Sequence, residues 1–184
     1  MKKIAQYNRI AWATAILWLA TAGAQPAAPV LPLPGVRPAG QGTLRFLGFE
    51  IYQARLWVSP GFQPDDYAAQ PLALELVYQR DFTARDIARR SIEEMRRVAP
   101  FTAQQAARWQ EALQSALPDV KAGDRLTGLY RPGAGAVFQM QGRTVGEVAD
   151  AEFARLFFGI WLSPQTSEPR LRQELITART AGQP

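Results

Sequence analysis

Polar and apolar positions alternate most cleanly over residues 72–80, where Leu72, Leu74, Leu76 and Tyr78 point one way and Glu75 and Gln79 the other. A period of two predicts a half-buried antiparallel strand. Residues 44–58 carry two interleaved sets instead. Leu47, Phe49 and Ile51 share one face, Tyr52, Ala54, Leu56 and Val58 the other, so the apolar parity switches near Tyr52. That pattern reads as one long strand or a bulged strand pair, with a β-bulge or burial on both faces, ended by Ser59-Pro60-Gly61. From Thr83 the period becomes helical. Ile87, Ser91, Met95 and Val98 recur over 83–98 behind a Thr83/Asp86 capping pair. Ala106, Trp109, Leu113 and Ala116 recur over 102–117 behind a Thr102/Gln105 box and before Pro118.

Three short strands follow at 125–130, 136–140 and 144–148, joined by turns at Pro132-Gly133-Ala134-Gly135 and Gln141-Gly142-Arg143. Asp150 then caps a helix bearing Phe153, Leu156, Phe157, Ile160 and Trp161. A last helix starts with Ser167 as N-cap and Pro169 near its first turn. Strands grouped before and after paired helices, in the order β-β-α-α-β-β-β-α-α, predict an α+β fold: an antiparallel sheet with helices on one face.

The amino-terminal segment obeys neither period. Lys2, Lys3 and Arg9 precede an uncharged apolar run from Ile10 to Leu19, and Ala22-Gly23-Ala24 offers small residues for cleavage. This predicts a secretory signal peptide over 1–24, and so a periplasmic or secreted protein. The run is shorter than the roughly 20 residues of a membrane-spanning helix, and no later segment is long enough, so no span is expected after cleavage. Residues 25–42, rich in Pro, Ala and Gly, read as an extended leader, 43–179 as the folded domain and 180–184 as a tail.

Removal of 1–24 lowers the formal charge from +5 to +2 and leaves Lys121 as the one lysine. So modest a charge does not argue for nucleic acid. The chain has neither cysteine nor histidine, which excludes thiol chemistry, Ser-His-Asp catalysis and the commonest zinc ligand. Arg45 is the first candidate for chemistry. In an extended chain it shares a face with Leu47, Phe49 and Ile51, and a guanidinium on an apolar face needs an anion. That anion is either a ligand's carboxylate or phenolate, or an internal partner such as Glu50 or Glu75; snorkelling at the strand end is a third option. Arg80 continues the face of Leu74, Leu76 and Tyr78 and raises the same choice against Asp81. Arg85, Arg89, Arg90, Arg96 and Arg97 share one helix with Asp86, Glu93 and Glu94, as a solvated charged face does.

Several of these segments together resemble a known family. Gly42-Thr43-Leu44-Arg45 followed by Phe49-Glu50-Ile51-Tyr52-Gln53-Ala54-Arg55-Leu56-Trp57 is similar to the opening strand pair of chalcone isomerase-like domains. Leu74-Glu75-Leu76-Val77-Tyr78-Gln79-Arg80-Asp81-Phe82 resembles the next strand. Gly159-Ile160-Trp161-Leu162-Ser163-Pro164-Gln165-Thr166 resembles the C-terminal helix junction, and the exported bacterial branch is the nearest in pattern. The resemblance spans residues 40–178. It implies an open-faced sandwich, a large antiparallel sheet with helices layered on one face and a ligand cleft between them, and no cofactor.

In the plant enzyme an Arg holds the ligand anion, a Tyr and a Lys polarise the carbonyl, and Asn and Thr touch the ligand. By position these roles fall on Arg45, Phe82, Arg85, Arg89 and Thr166, with Arg80 as a further charge. Phe82 has no hydroxyl, and loss of one such donor costs on the order of a hundredfold in rate. Arg85 cannot act as a lysine-like acid. The resemblance thus implies a non-catalytic binder of a small organic anion, a fatty acid or aromatic acid, anchored by Arg45. The alternative is a cofactor-independent intramolecular lyase or isomerase. A third reading is a ligand-free partner subunit, with the cleft filled by Phe157 and Trp161.

Overall fold

A computed structural model describes residues 33–177. Six strands lie in sequence order in one antiparallel sheet: β1 (Arg37–Phe46), β2 (Phe49–Val58), β3 (Leu72–Tyr78), β4 (Arg125–Arg131), β5 (Gly135–Met140) and β6 (Arg143–Val148). The helices are α1 (Ala84–Val98), α2 (Ala103–Ala116), α3 (Ala151–Leu162) and α4 (Pro169–Ile176), with a short 3-10 segment at Pro64–Ala69 between β2 and β3. The expected α+β sheet-and-helix architecture is what forms. The predicted signal peptide and tail lie outside the described residues. Among those described, no helix is long and apolar enough to cross a membrane.

The alternation read in β3 propagates through the register. Leu72 pairs with Tyr130 and Tyr130 with Ala136; Leu74 pairs with Gly128 and Gly128 with Phe138. These positions face the helices and form the main core with Ala88, Ile92, Met95, Trp109, Leu113 and the apolar residues of α3. Val36, Trp57, Ala73, Leu129 and Val137 form a smaller cluster on the opposite face, to which no helix among the described residues contributes. Gly128 is what the central strands need: a Cβ there would sit 3.1 Å from Cζ of Phe158, so the bare backbone makes room for that ring.

Residues 37–42 correct the expected leader. They are the first half of β1, with Ala39 buried. Proline and glycine mislead there because β1 is an edge strand. Pro38 is tolerated at its start, and glycine is required where another backbone comes close. A Cβ on Gly40 would lie 2.2 Å from the carbonyl oxygen of Glu174, so α4 lies directly on the strand. The other edge repeats the device, with Gly146 of β6 against the carbonyl oxygen of Ala116 at the end of α2. Helix backbones thus pack directly on the face of both edge strands.

Of the two readings of 44–58, the bulged strand pair is what forms: a hairpin turning at Leu47 and Gly48, with Leu44 opposite Tyr52 and Arg45 opposite Glu50, so that Ile51 is the extra residue of a bulge beside Tyr52. Both predicted caps of the first helix pair are present: Thr83 Oγ1 accepts from Asp86 N, and Thr102 and Gln105 make a reciprocal box. Ser167 is not the N-cap of α4; Glu168 holds that place and the Ser167 hydroxyl is committed elsewhere. Asp150 caps α3 through Phe153 N at 2.9 Å and also accepts the Trp109 indole N–H at 2.8 Å, which ties α3 to α2.

Gly40→Ala and Gly146→Ala each force a backbone apart, and each should lower stability by about 1–3 kcal/mol. Urea midpoints equal to wild type would mean that the edge helices do not sit this close.

Candidate functional site

The space between sheet and helices is the place to look for a site, and in this structure it is nearly full. Leu74, Leu76 and Leu126 form its floor, and Phe157, Phe158 and Trp161 of α3 its roof. The Phe157 ring lies 5.4 Å from both Phe158 and Trp161, edge-on in each case. The cavity left among them is about 10 Å³, no more than one water needs.

One end of this apolar layer is polar. The Trp161 indole N–H donates to Oη of Tyr52 at 2.9 Å, and the Tyr52 ring meets Tyr78 edge-on at 5.9 Å. Phe82 packs against Tyr78 from the other side at 5.8 Å. Burial of its hydroxyl pushes Tyr52 well above the usual phenol range; the indole bond pulls the other way, Glu168 and Glu94 add to the rise and Arg90 opposes it. Burial raises Tyr78 as well, with a smaller contribution from Tyr52. Glu94, on the apolar seam of α1, has a side chain only 7% exposed. It accepts from Ser167 Oγ at 2.7 Å and pairs with Arg90 at 2.7 Å and Arg97 at 3.3 Å, binding α1 to the loop after α3.

The residues singled out from sequence do not converge here. Arg45 does not enter an apolar hollow. It stands near the β1–β2 turn, its side chain 61% exposed and paired with Glu50, which is the internal partner named as the alternative. The hairpin that the sequence pattern hid is the reason: the face shared by Arg45, Leu47 and Phe49 belongs to a projecting turn. Arg80 is exposed, with its guanidinium 4.2 Å over the Phe49 ring. Arg85 lines an open polar groove with Thr83, Asp86, Gln114 and Asp119, on the outer side of the α1 N-terminus. Arg89 pairs with Asp86 and Glu93 along its own helix. Thr166 closes the end of α3, donating to the Ile160 carbonyl and accepting from Glu168 N. Phe82 alone reaches the edge of the interlayer, through Tyr78. Arg45 and Arg80 both stand near the hairpin tip, one paired with Glu50 and the other over Phe49.

Two residues that frame the polar end, Tyr52 and Glu94, were not singled out as site residues. Tyr52 marks the parity switch, and Glu94 follows Ser91 at helical spacing on the buried seam; both signals were in the pattern. The Tyr52–Trp161 bond, across 109 positions, left no trace in it.

Residues 39–177 match the chalcone isomerase-like family. The chain belongs to that family. An uncharacterized protein of Haemophilus influenzae is 24% identical over 140 residues, spanning 76% of this chain and 67% of the relative. Among solved structures, a fatty-acid binding protein of Arabidopsis thaliana superposes with a TM-score of 0.60 at 11% identity, covering 78% of this chain and 87% of its own. At that identity the likeness is one of fold. This chalcone isomerase-like domain keeps the family's sheet-and-helix layers while its interlayer is closed by α3.

The raised phenols give a signed prediction. A tyrosine whose pKa is higher folded than unfolded leaves stability intact below the ordinary value of 10.0 and erodes it as pH rises beyond, because only the unfolded chain ionises there. The near-ultraviolet tyrosinate signals of Tyr52 and Tyr78 should therefore appear together with alkaline unfolding. Smooth ionisation near pH 10 in a chain whose circular dichroism is still native would show that these hydroxyls are hydrated.

Proposed function

We propose that this exported, non-catalytic chalcone isomerase-like protein binds a small amphipathic organic acid, a fatty acid or an aromatic acid, between the sheet and α3. The observation that carries the reading is the interlayer itself: apolar along its length, polar at one end, and without a proton-handling set. Phe82 offers no hydroxyl, Arg85 faces outward, and the chain has no histidine. The fatty-acid binding named for the Arabidopsis structure of the same fold supports the ligand class.

The anchor in this reading is not Arg45. Trp161 N–H and Tyr52 O–H are two donors at the head of the apolar layer, and in the closed state they satisfy one bond between themselves. A ligand carboxyl entering there can accept from both while its apolar body displaces Phe157 and Trp161 from the floor. Arg90 and Arg97 pair with Glu94 and offset part of the negative charge that Glu94 and Glu168 place near this end. Binding then requires α3 side chains to swing aside, and affinity is reduced by the cost of that opening.

The filled cavity favours a second reading, a partner-binding domain with no ligand. Native mass spectrometry of the protein as purified, followed by titration with fatty and aromatic acids, separates the two. The ligand reading expects a one-to-one adduct and a quench of Trp161 fluorescence. Tyr52→Phe should weaken binding by about 2- to 10-fold while the fold survives, as loss of one hydrogen bond does. No adduct with wild type, and none when Trp161→Ala opens the layer, would leave the partner reading. Cofactor-free turnover of a chalcone would establish the isomerase alternative. Sequencing of the mature N-terminus from a periplasmic extract tests export.

A further inference from the structure

Among the described residues, the three most exposed large apolar side chains gather at one place. Phe46 is 60% exposed, Leu47 80% and Phe49 54%, all on the turn joining β1 to β2. Large apolar groups exposed singly are ordinary, whereas three at one convex tip mark an interaction site.

The turn is also chemically unexpected. Phe46 pairs with Phe49, leaving a two-residue loop with Leu47 at φ 49° and Gly48 at φ 81°. A loop with positive φ at both positions favours Asn-Gly or Asp-Gly. Leucine has no local hydrogen bond to offset the left-handed conformation, and its side chain is left in water. Neither turn geometry nor core packing accounts for leucine here.

The surroundings state the charge of that contact. Arg80 stacks on the Phe49 ring, and Arg45 stands beside the tip with Glu50. The strands' antiparallel order brings Lys121, just before β4, and Arg143, at the start of β6, to the same end of the sheet. Asp81 and Asp124 at this end accept the backbone N–H groups of Ala122 and Lys121. Arg80, Lys121 and Arg143 have no carboxylate partner among the described residues.

We infer that the β1–β2 hairpin tip docks this protein on an anionic phospholipid surface, with Phe46, Leu47 and Phe49 entering the interface and Arg80 and Arg45 meeting headgroup phosphates. Aromatic and aliphatic groups partition into the interfacial zone, and neighbouring cations add attraction to anionic lipid. A protein partner fits less well. Three side chains on a convex turn fall short of the roughly 800 Å² per partner of a stable interface, whereas a bilayer conforms to the tip. The docking does not depend on what the interior holds.

The chain has no cysteine, so single labelling sites are simple to make. Leu47→Cys and Ala134→Cys, the latter on the exposed β4–β5 turn at the opposite end, would each carry an environment-sensitive fluorophore in the full chain. With phosphatidylglycerol-containing vesicles the label at position 47 should shift to the blue and that at 134 should not. Neutral phosphatidylcholine vesicles or high salt should weaken the shift. Phe46→Ser with Phe49→Ser should cut vesicle partitioning on the order of tenfold or more. Leu47→Asn should also reduce it while keeping or raising the urea midpoint. An unshifted label at 47, equal shifts at both sites, or a vesicle-independent shift that grows with protein concentration would overturn the proposal, the last in favour of self-association through the tip.

Discussion

The structure depends on α3 lying flat against the middle of the sheet. Its sequence is apolar on most sides, and Phe153, Leu156, Phe158 and Leu162 are essentially without solvent contact. Such a helix is stable only if the sheet below and helices beside it accept its side chains. The accommodation is local: Gly128 leaves space for Phe158 on the central strands, and the Phe138 ring meets Phe157 edge-on at 5.5 Å. The Gly159 backbone faces the Tyr67 hydroxyl and Val98, so α1 and the 3-10 segment close over the same helix. Polar groups hold α3 at both ends, and the Tyr67 hydroxyl donates to the Arg155 carbonyl between them. Asp150 takes the Trp109 indole at one, and Thr166 and the Tyr52–Trp161 bond fix the other.

That arrangement explains why so much of the fold was legible and so little of the site. Strand alternation, helical seams and caps are local, and Leu72–Tyr78, Thr83 and the Thr102/Gln105 box behave as their spacing requires. Residues 37–42 failed because composition outweighed context: glycine there serves close packing of α4, a fact visible only once α4 is placed. The turn at Leu47 and Gly48 was not located for a related reason. Leucine is not a turn residue, so the pattern left one long strand and a bulged strand pair both open. Arg45 inherited that error, since its expected burial rested on the face it shared with Leu47 and Phe49.

The family resemblance identified the fold but carried roles onto positions that do not meet. Arg85, Arg89 and Thr166 are occupied in local structure: a groove outside α1, an ion-pair ladder and a helix terminus. What remains in the interlayer is a hydroxyl and an indole facing each other across an apolar layer. Two neutral donors can orient a carboxyl, and burial raises both nearby phenols, so they stay protonated as donors.

The closed interior and the exposed tip bear on each other. Opening the interlayer means lifting Trp161 off Tyr52 and exposing Phe157, which in water exposes apolar area at roughly 25 cal/mol per Å². The same exposure costs little against lipid. Tyr52 lies on β2 only a few residues from the tip, with Gln79 N bonded to Ile51 O beside it. A domain held at a bilayer by Phe46, Leu47 and Phe49 would therefore present the polar end of its interlayer toward the membrane, where opening is cheapest and acyl chains are most concentrated. Hydrophobic burial keeps the cleft shut in water, and that same term ceases to oppose opening where the surroundings are apolar.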